Sequence, residues 1–409
     1  MAEGPMTDVQ DSSYSWWRLG VSLALATIGG IGLWAAVVAL PAIQTSFGID
    51  RGGASLPYTA TMIGFAAGGL VMGRFADRYG IAAPMFAGAA ILGLGFFAAA
   101  AAPNYWLFVA AQAGLIGFLG CATTFGPLVA DVSLWFRKRR GIAIGIVASG
   151  NYLAGTIWPP ILTWGIEEYG WRMAYAGLGI LVLVTMLPLS LLLRRRASLE
   201  DHPAPAAAQA STPFIGTPAL QGLLVLAGLA CCVAMSMPQV HIVAYCGDLG
   251  FGPARGAEML SLMLGFGVVS RLASGFVADK IGGTGTLIIG SFLQGLALLF
   301  YIPFDGLVSL YVVSALFGLA QGGIVPSYAL IVRDYFPARE AGWRISLVLT
   351  ATVIGMALGG WLSGEIFDYT GSYRLAFVHG IIWNLLNFAI AVWLFARRAK
   401  PLHQRAAAA

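Results

Sequence analysis

Residues Trp135 to Gly150 read WFRKRRGIAIGIVASG: an aromatic pair, four consecutive cations, then a run without charge. Arg137, Lys138, Arg139 and Arg140 cannot cheaply enter hydrocarbon, whereas Trp135 and Phe136 suit a headgroup layer. The stretch is therefore a short loop between two membrane-spanning helices, and its cations mark the cytoplasmic side. On this reading the cluster sets topology and touches no ligand. It has an echo: DYFPAREAG, Asp334 to Gly342, repeats Trp135 as Tyr335, Phe136 as Phe336 and Arg139 as Arg339, each 200 positions later. GRFADRYG at Gly73 to Gly80 answers to GFVADKIG at Gly275 to Gly282, and YGWRMAY around Arg172 to GSYRLAF around Arg374, both at a spacing of 202. Three matched segments at nearly one spacing mean a duplicated half, the parallel repeat of carriers built from two similar bundles.

Composition agrees. Of 409 residues, 58% are hydrophobic and 10% charged, and the mean hydropathy is +0.80, against about 25% charged residues in a soluble domain. At about 20 residues per span the chain holds about twelve helices and leaves no soluble domain of useful size. A net charge of +5 could point to nucleic acid, but distribution decides otherwise. With both ends inside, sixteen of the 23 cations fall on one face, and only Arg51, Arg172, Arg255 and Arg374 on the other. This is the positive-inside bias, so the partner is a lipid bilayer and no nucleic acid is needed. Cys121, Cys231, Cys232 and Cys246 sit in or beside apolar runs without metal-ligand spacing and read as helix packing; no cofactor is expected. The N-terminal fifteen residues are polar and acidic, unlike a secretory signal, so the first apolar run reads as a retained helix.

The G-x-x-x-D-R/K-x-G pattern in both halves resembles the signature of the major facilitator superfamily, and the resemblance covers the chain from Trp17 to Arg398. WF-x-x-R/K-R-G-x-A-x-G resembles the branch of monocarboxylate porters and oxalate:formate antiporters. The implied fold is an all-α membrane protein with 12 transmembrane helices in two pseudo-symmetric six-helix bundles, 17–196 and 218–398. Cytoplasmic tails, 1–16 and 399–409, and a cytoplasmic linker, 197–217, complete the expected division. In that superfamily the loop aspartate is a gate residue, so Asp77 with Arg78, and Asp279 with Lys280, are the implied gating positions.

Along the chain, helix 1 is expected at Trp17 to Pro41 and helix 2 at Pro57 to Ala76, where Gly64, Gly68, Gly69 and Gly73 permit close packing. Asp131 in helix 4 lies about one turn before the cation cluster, and pairing with those arginines is preferred over a proton site. Helix 5 carries Asn151, Tyr152 and Pro159-Pro160, which should break its hydrogen-bond ladder. Polar groups beside such a break are binding-site candidates. Residues Ala197 to Pro213, ASLEDHPAPAAAQASTP, read as the linker. Helix 7 is expected to be interrupted at Pro238, with Gln239 and His241 beyond it. Tyr58, Tyr328 and Asn384 are further polar groups at depth and candidates for the lining.

Arg271 is the leading candidate. It lies eight positions before Asp279, about 12 Å into the membrane, and Gly267 and Gly275 occupy the positions one turn either way. A central arginine costs about 2.5–3.5 kcal/mol on insertion scales, so it should face a wet cavity and meet an anion; the alternative is a snorkelling or interhelical structural role. RLASGFVAD also resembles the R-x-x-x-G-x-V-A-N/D pattern of monocarboxylate porters, which implies that Arg271 is the carboxylate anchor. A guanidinium fork suits two carboxylate oxygens. Those porters often carry an aspartate four residues earlier as proton acceptor, where this chain has Gly267. His241, with an unperturbed pKa near ~6.5, is the substitute proton or substrate contact, unless it is a neutral hydrogen-bond partner. The expected function is secondary transport of a small organic anion, a monocarboxylate, with protons as second partner, by a functional monomer in the plasma membrane. Anion exchange and drug or metabolite efflux on the same fold stay open. Helix 5 lacks the G-x-x-x-G-P-x-x-G-G signature of drug exporters, and no H-E-x-x-H or G-x-S-x-G points to an enzyme.

Overall fold

The computed structural model describes residues 10–195 and 216–397. Most of the expected linker and N-terminal tail, and all of the expected C-terminal tail, lie outside the described residues, as do the side chains of Asp77, Arg140 and Arg339. The regular structure of the described residues is helical. The helices are α1 (Ser13–Val38), α2 (Arg51–Tyr79), α3 (Ala82–Ala100), α4 (Tyr105–Trp135), α5 (Gly141–Tyr169) and α6 (Trp171–Leu191). The second half holds α7 (Thr217–Asp248), α8 and α9 as the two arms of Pro253–Phe300, α10 (Leu307–Tyr335), α11 (Ala338–Thr370) and α12 (Arg374–Ala396). The 48-residue stretch Pro253–Phe300 turns back at Gly282 (φ 77°, ψ 169°), which divides it into residues 253–281 and 283–300 and completes twelve spans. Large apolar side chains cover the outside, Phe276 at 73% exposure among them, as expected of helices solvated by lipid.

The duplication is carried in the backbone. Gly80 (φ 78°, ψ 165°) ends α2 with the torsions that Gly282 gives α8, and Gly48 and Gly250, also 202 apart, both have positive φ. Only glycine adopts such torsions freely. In the first half α3 packs on α6 and α2 on α4; in the second α7 packs on α11 and α12, and α8 on α10. Gly64 and Gly68 let α2 touch the α4 backbone, since a Cβ at either place would strike the Ala113 or Phe118 carbonyl.

Two expectations change. The prolines do not break their helices: α5 continues through Pro159 and Pro160 and α7 through Pro238. One missing N–H per proline is tolerated where neighbouring helices brace the backbone. Departures from α-geometry fall elsewhere, at Gly30 in α1, at Ser149 in α5 and, most strongly, in α4, where a π-helical stretch, Ala111–Gly120, runs into a 3₁₀ turn, Cys121–Thr124. Asp131, for its part, pairs with Arg18 of α1 and not with the cation cluster: Nε–Oδ2 and Nη2–Oδ1 are both 2.9 Å. Extended torsions at Phe136 (φ −127°, ψ 133°) carry the cluster away from α4, while α1 runs beside it. The Arg18 guanidinium also donates to the Leu193 carbonyl at 3.2 Å and lies 4.5 Å from the Trp135 ring.

Arg18 is 1% exposed, so removing either member of the pair strands the other. Replacing Arg18 by Met, or Asp131 by Leu, should lower unfolding free energy by about 3–5 kcal/mol. The double replacement should recover most of that loss, as followed by denaturant titration in detergent micelles.

Candidate functional site

The two halves meet along α2–α11 and α5–α8, and some of the polar groups at mid-depth lie on these seams. Arg271 of α8 reaches across to α5. Its Nη1 donates to the Ala148 carbonyl at 2.8 Å, at the join between the two segments of α5, and its guanidinium carbon lies 4.3 Å from the Tyr152 ring centroid. Its Nε is buried without a hydrogen-bond partner, and no ion pair to Arg271 occurs among the described residues. The charge thus rests on a π-face and one carbonyl, and a donor remains free.

Gly267 explains the stack. A Cβ there would lie 2.6 Å from Tyr152 Cε1, so the ring occupies the place a side chain would take. An aspartate at this position is incompatible with the ring as it stands. The same Cβ would lie 3.6 Å from the Gln321 amide nitrogen, which is buried and unpartnered, while Gln321 Oε1 accepts from Gln239 Nε2 at 2.5 Å. Arg271, Tyr152, Gln321 and Gln239 therefore form one group built from α8, α5, α10 and α7. Asn151 lies beside Tyr152, its carbonyl accepting from the Trp34 indole at 3.2 Å and its Oδ1 buried without a partner. Tyr58 of α2 packs its ring on Gly360 of α11 and leaves its hydroxyl unpartnered. Of the free groups, Arg271 Nε and Gln321 Nε2 are donors, Asn151 Oδ1 is an acceptor and the Tyr58 hydroxyl can be either.

The remaining candidates lie elsewhere. His241 is fully buried between α7 and α11, with Nε2 at 2.7 Å from the Gly360 carbonyl and Nδ1 at 2.9 Å from the Tyr373 hydroxyl. A carbonyl only accepts, so Nε2 carries the hydrogen and Nδ1 accepts from Tyr373. The Tyr328 hydroxyl, with one hydrogen to donate, lies 2.7 Å from Asn387 Oδ1 and 3.0 Å from the Ala227 carbonyl, and Asn384 Nδ2 donates to the Ser291 carbonyl (2.8 Å). The hydrogen bonds of both stay inside the second half and do not join the Arg271 group, although Asn384 Oδ1 is buried without a partner. Arg78, Asp279 and Lys280 are exposed at the end bearing the basic loops, and the Asp77 side chain lies outside the described residues.

Sequence reading missed Gln321 as a partner of the group, and it missed the opposite end entirely. There Arg51, counted from sequence only among the cations of the outer face, begins α2 and is 7% exposed, with Nη2 at 2.9 Å from Asp248 Oδ1. The available signal was a capping aspartate directly before Arg51. Among the described residues, hydrogen bonds across the halves cluster at this end, with Thr59 Oγ1 donating to the Ala357 carbonyl at 2.8 Å next along α2. Toward the basic end α2 stands clear, and a Cβ at Gly69 or Gly73 would meet nothing within 4 Å.

Known proteins match this architecture. The profile of the Major Facilitator Superfamily matches residues 23–313 and 286–409. Monocarboxylate transporter 13 of Bos taurus is 30% identical over 282 residues, covering 65% of this chain, which spans 62% of that relative's length. The agnestins efflux protein AgnL12 of Paecilomyces divaricatus is 25% identical over 319 residues, 77% of this chain and 72% of that protein. Among solved structures, a bacterial homolog to the human lysosomal transporter Spinster, described as inward-facing and occupied, superposes with a TM-score of 0.75 at 15% identity, covering 94% of this chain and 97% of that one. The match is one of fold at that identity. Family profile, relatives and fold agree that the chain is a multi-pass membrane transporter, not an enzyme, and that it belongs to the major facilitator superfamily, in its monocarboxylate-transporter-like branch.

Proposed function

We propose that the chain moves a small organic anion, a monocarboxylate, across the plasma membrane by alternating access, in symport with protons. One observation carries this reading: Arg271 sits on the seam between the halves, without a carboxylate partner among the described residues and with a buried donor free. A carboxylate entering there would accept from Nε and a terminal nitrogen together, a bidentate bond stronger than the single bond to Ala148. Gln321 Nε2 and the Tyr58 hydroxyl offer further donors, with Asn151 and Gln239 beside them. The name of the bovine relative, a monocarboxylate transporter, points the same way.

With the basic loops in the cytoplasm, both termini are cytoplasmic and the chain stands inward-open, closed where Arg51 meets Asp248. Asp77, Arg78, Asp279 and Lys280 then lie where the inner gate would close in the opposite state. His241, behind the site and bonded to α11, is the group proposed to take up the coupled proton. The protein works as a monomer, since each seam between its two halves is formed within one chain. A second reading, export of larger metabolites, draws on the efflux names of fungal relatives. It calls for the same seam and a different cargo.

Binding and uptake separate these readings. Purified protein screened against organic acids should rise in melting temperature with selected monocarboxylates, as a ligand at 100 times its Kd adds about 2.7 kcal/mol. Arg271→Ala should weaken that binding and the half-saturation of uptake into proteoliposomes by at least about 30-fold, and Arg271→Lys should fall between, keeping charge but losing the fork. Normal carboxylate uptake by Arg271→Ala would defeat the assignment, and selective response to neutral metabolites would favour export. Proton drive has its own test. Uptake should rise with an inward proton gradient, and His241→Gln should lose that acceleration while still exchanging labelled for unlabelled substrate.

A further inference from the structure

The end opposite the basic loops is shut by charge. Asp368, in the last turn of α11, aims its carboxylate at the first turn of α2: Oδ1 accepts from the Arg51 amide at 2.8 Å and Oδ2 from the Gly52 amide at 2.5 Å. These N–H groups have no partner within their own helix, and the helix dipole favours an anion there. Asp50, which caps α2 from its own chain segment, takes the Gly53 amide at 2.8 Å, so two acids from different halves divide the free donors of one helix start. Gly52 has no side chain where one would collide with the Glu365 carboxylate and lie 3.2 Å from Asp368 Oδ2.

The Arg51 side chain engages the second half too. Nη2 donates to Asp248 Oδ1 of α7 at 2.9 Å, and the guanidinium lies 4.8 Å from the Phe367 ring and 5.9 Å from that of Tyr373. One residue of the first half thus holds α11 through its backbone and α7 through its side chain. Toward the basic end the helices on both seams have room instead: a Cβ at Gly73 of α2, Gly145 of α5, Gly275 of α8 or Gly342 of α11 would meet nothing within 4 Å.

We infer that Arg51, with Asp248 and Asp368, is the outer latch of the transport cycle: it holds the two halves closed at this end and must release before the site can open there. These are positioning residues, since none touches the proposed anion site. The inference rests on alternating access and not on the identity of the cargo. Geometry supports release as a unit, because a rotation that draws α2 from α11 stretches both amide bonds to Asp368 and the pair to Asp248 together.

Distances between spin labels, measured on the full chain in lipid nanodiscs without added substrate, test it. One label pair replaces exposed Ser46 and Tyr369, on either half near the latch; a second replaces exposed Arg74 and Trp343 near the basic end. The four native cysteines are buried. Arg51→Gln and Asp248→Asn should each raise the population with the long outer distance about ten-fold, the loss of one charged hydrogen bond. The double variant should do no more than either single, because both break one contact. As the outer pair lengthens, the inner pair should shorten, opposite movements that a misfolded chain does not produce. Should Arg51→Gln fail to fold, Asp368→Asn, which keeps the shape and loses the charge, must show the same paired shift. Unchanged outer distances, or single effects that multiply in the double variant, would overturn the latch. Failure of the anion assignment would leave these distances as expected.

Discussion

A cation inside a membrane has to be answered by something other than water, and this chain answers its interior arginines in two different ways. Arg18, Arg51 and Arg344 each have a carboxylate: Asp131, Asp248 and Glu340 at 2.8–2.9 Å. Arg271 has a tyrosine face and a single carbonyl. Since taking an ion out of water costs several kcal/mol even after relaxation, three of these sites are closed electrostatically and the fourth is left open. An open site on the seam between two halves is the place the proposed anion would fill.

Duplication sharpens the contrast. Gly73, Asp77 and Gly80 correspond to Gly275, Asp279 and Gly282 at one spacing, so Arg271 corresponds to Gly69, which has open space around it. The repeat therefore supplies the scaffold twice and the charge once. Gly267, one turn before Arg271, corresponds to Phe65, and only in the second half is that place emptied so that a ring from the first half can enter it. The halves match as frames and differ where they touch the site.

That pattern also marks how far the sequence could be read. Twelve spans, their repeat and the depth of Arg271 follow from hydropathy, spacing and the rarity of charge, because lipid imposes those constraints locally. Partners that meet through folding do not. Arg18 and Asp131 are 113 positions apart, and nothing near Asp131 told that helix α1, not the adjacent cations, would lie beside it. Tyr328, Asn384 and Gln321 look alike in sequence, as polar residues in apolar helices. Only the neighbours of each helix face separate Gln321, turned to Gln239 and the seam, from Tyr328 and Asn384, whose hydrogen bonds stay within the second half. Prolines misled for a related reason: a lost N–H is a local fact, whereas whether the helix bends depends on what packs against it.

Site and latch are joined by the helices that form both. Arg51 and Tyr58 are seven residues apart on α2, about 10 Å along its axis. Gln239, His241 and Asp248 share α7, and Gly360 and Asp368 share α11. Between the two levels, Gly360 touches the Tyr58 ring and accepts from His241, and His241 meets Tyr373, whose ring lies near the Arg51 guanidinium. A second proton on His241 would make Nδ1 a donor, so the Tyr373 hydroxyl would have to turn and accept, on the wall against which Arg51 rests. Helices are stiff, so α2 cannot leave α11 at Asp368 while Tyr58 keeps its place on Gly360. Whatever fills the site and favours one placement of Tyr58 then biases the latch, and by linkage the latch biases affinity at the site by the same factor.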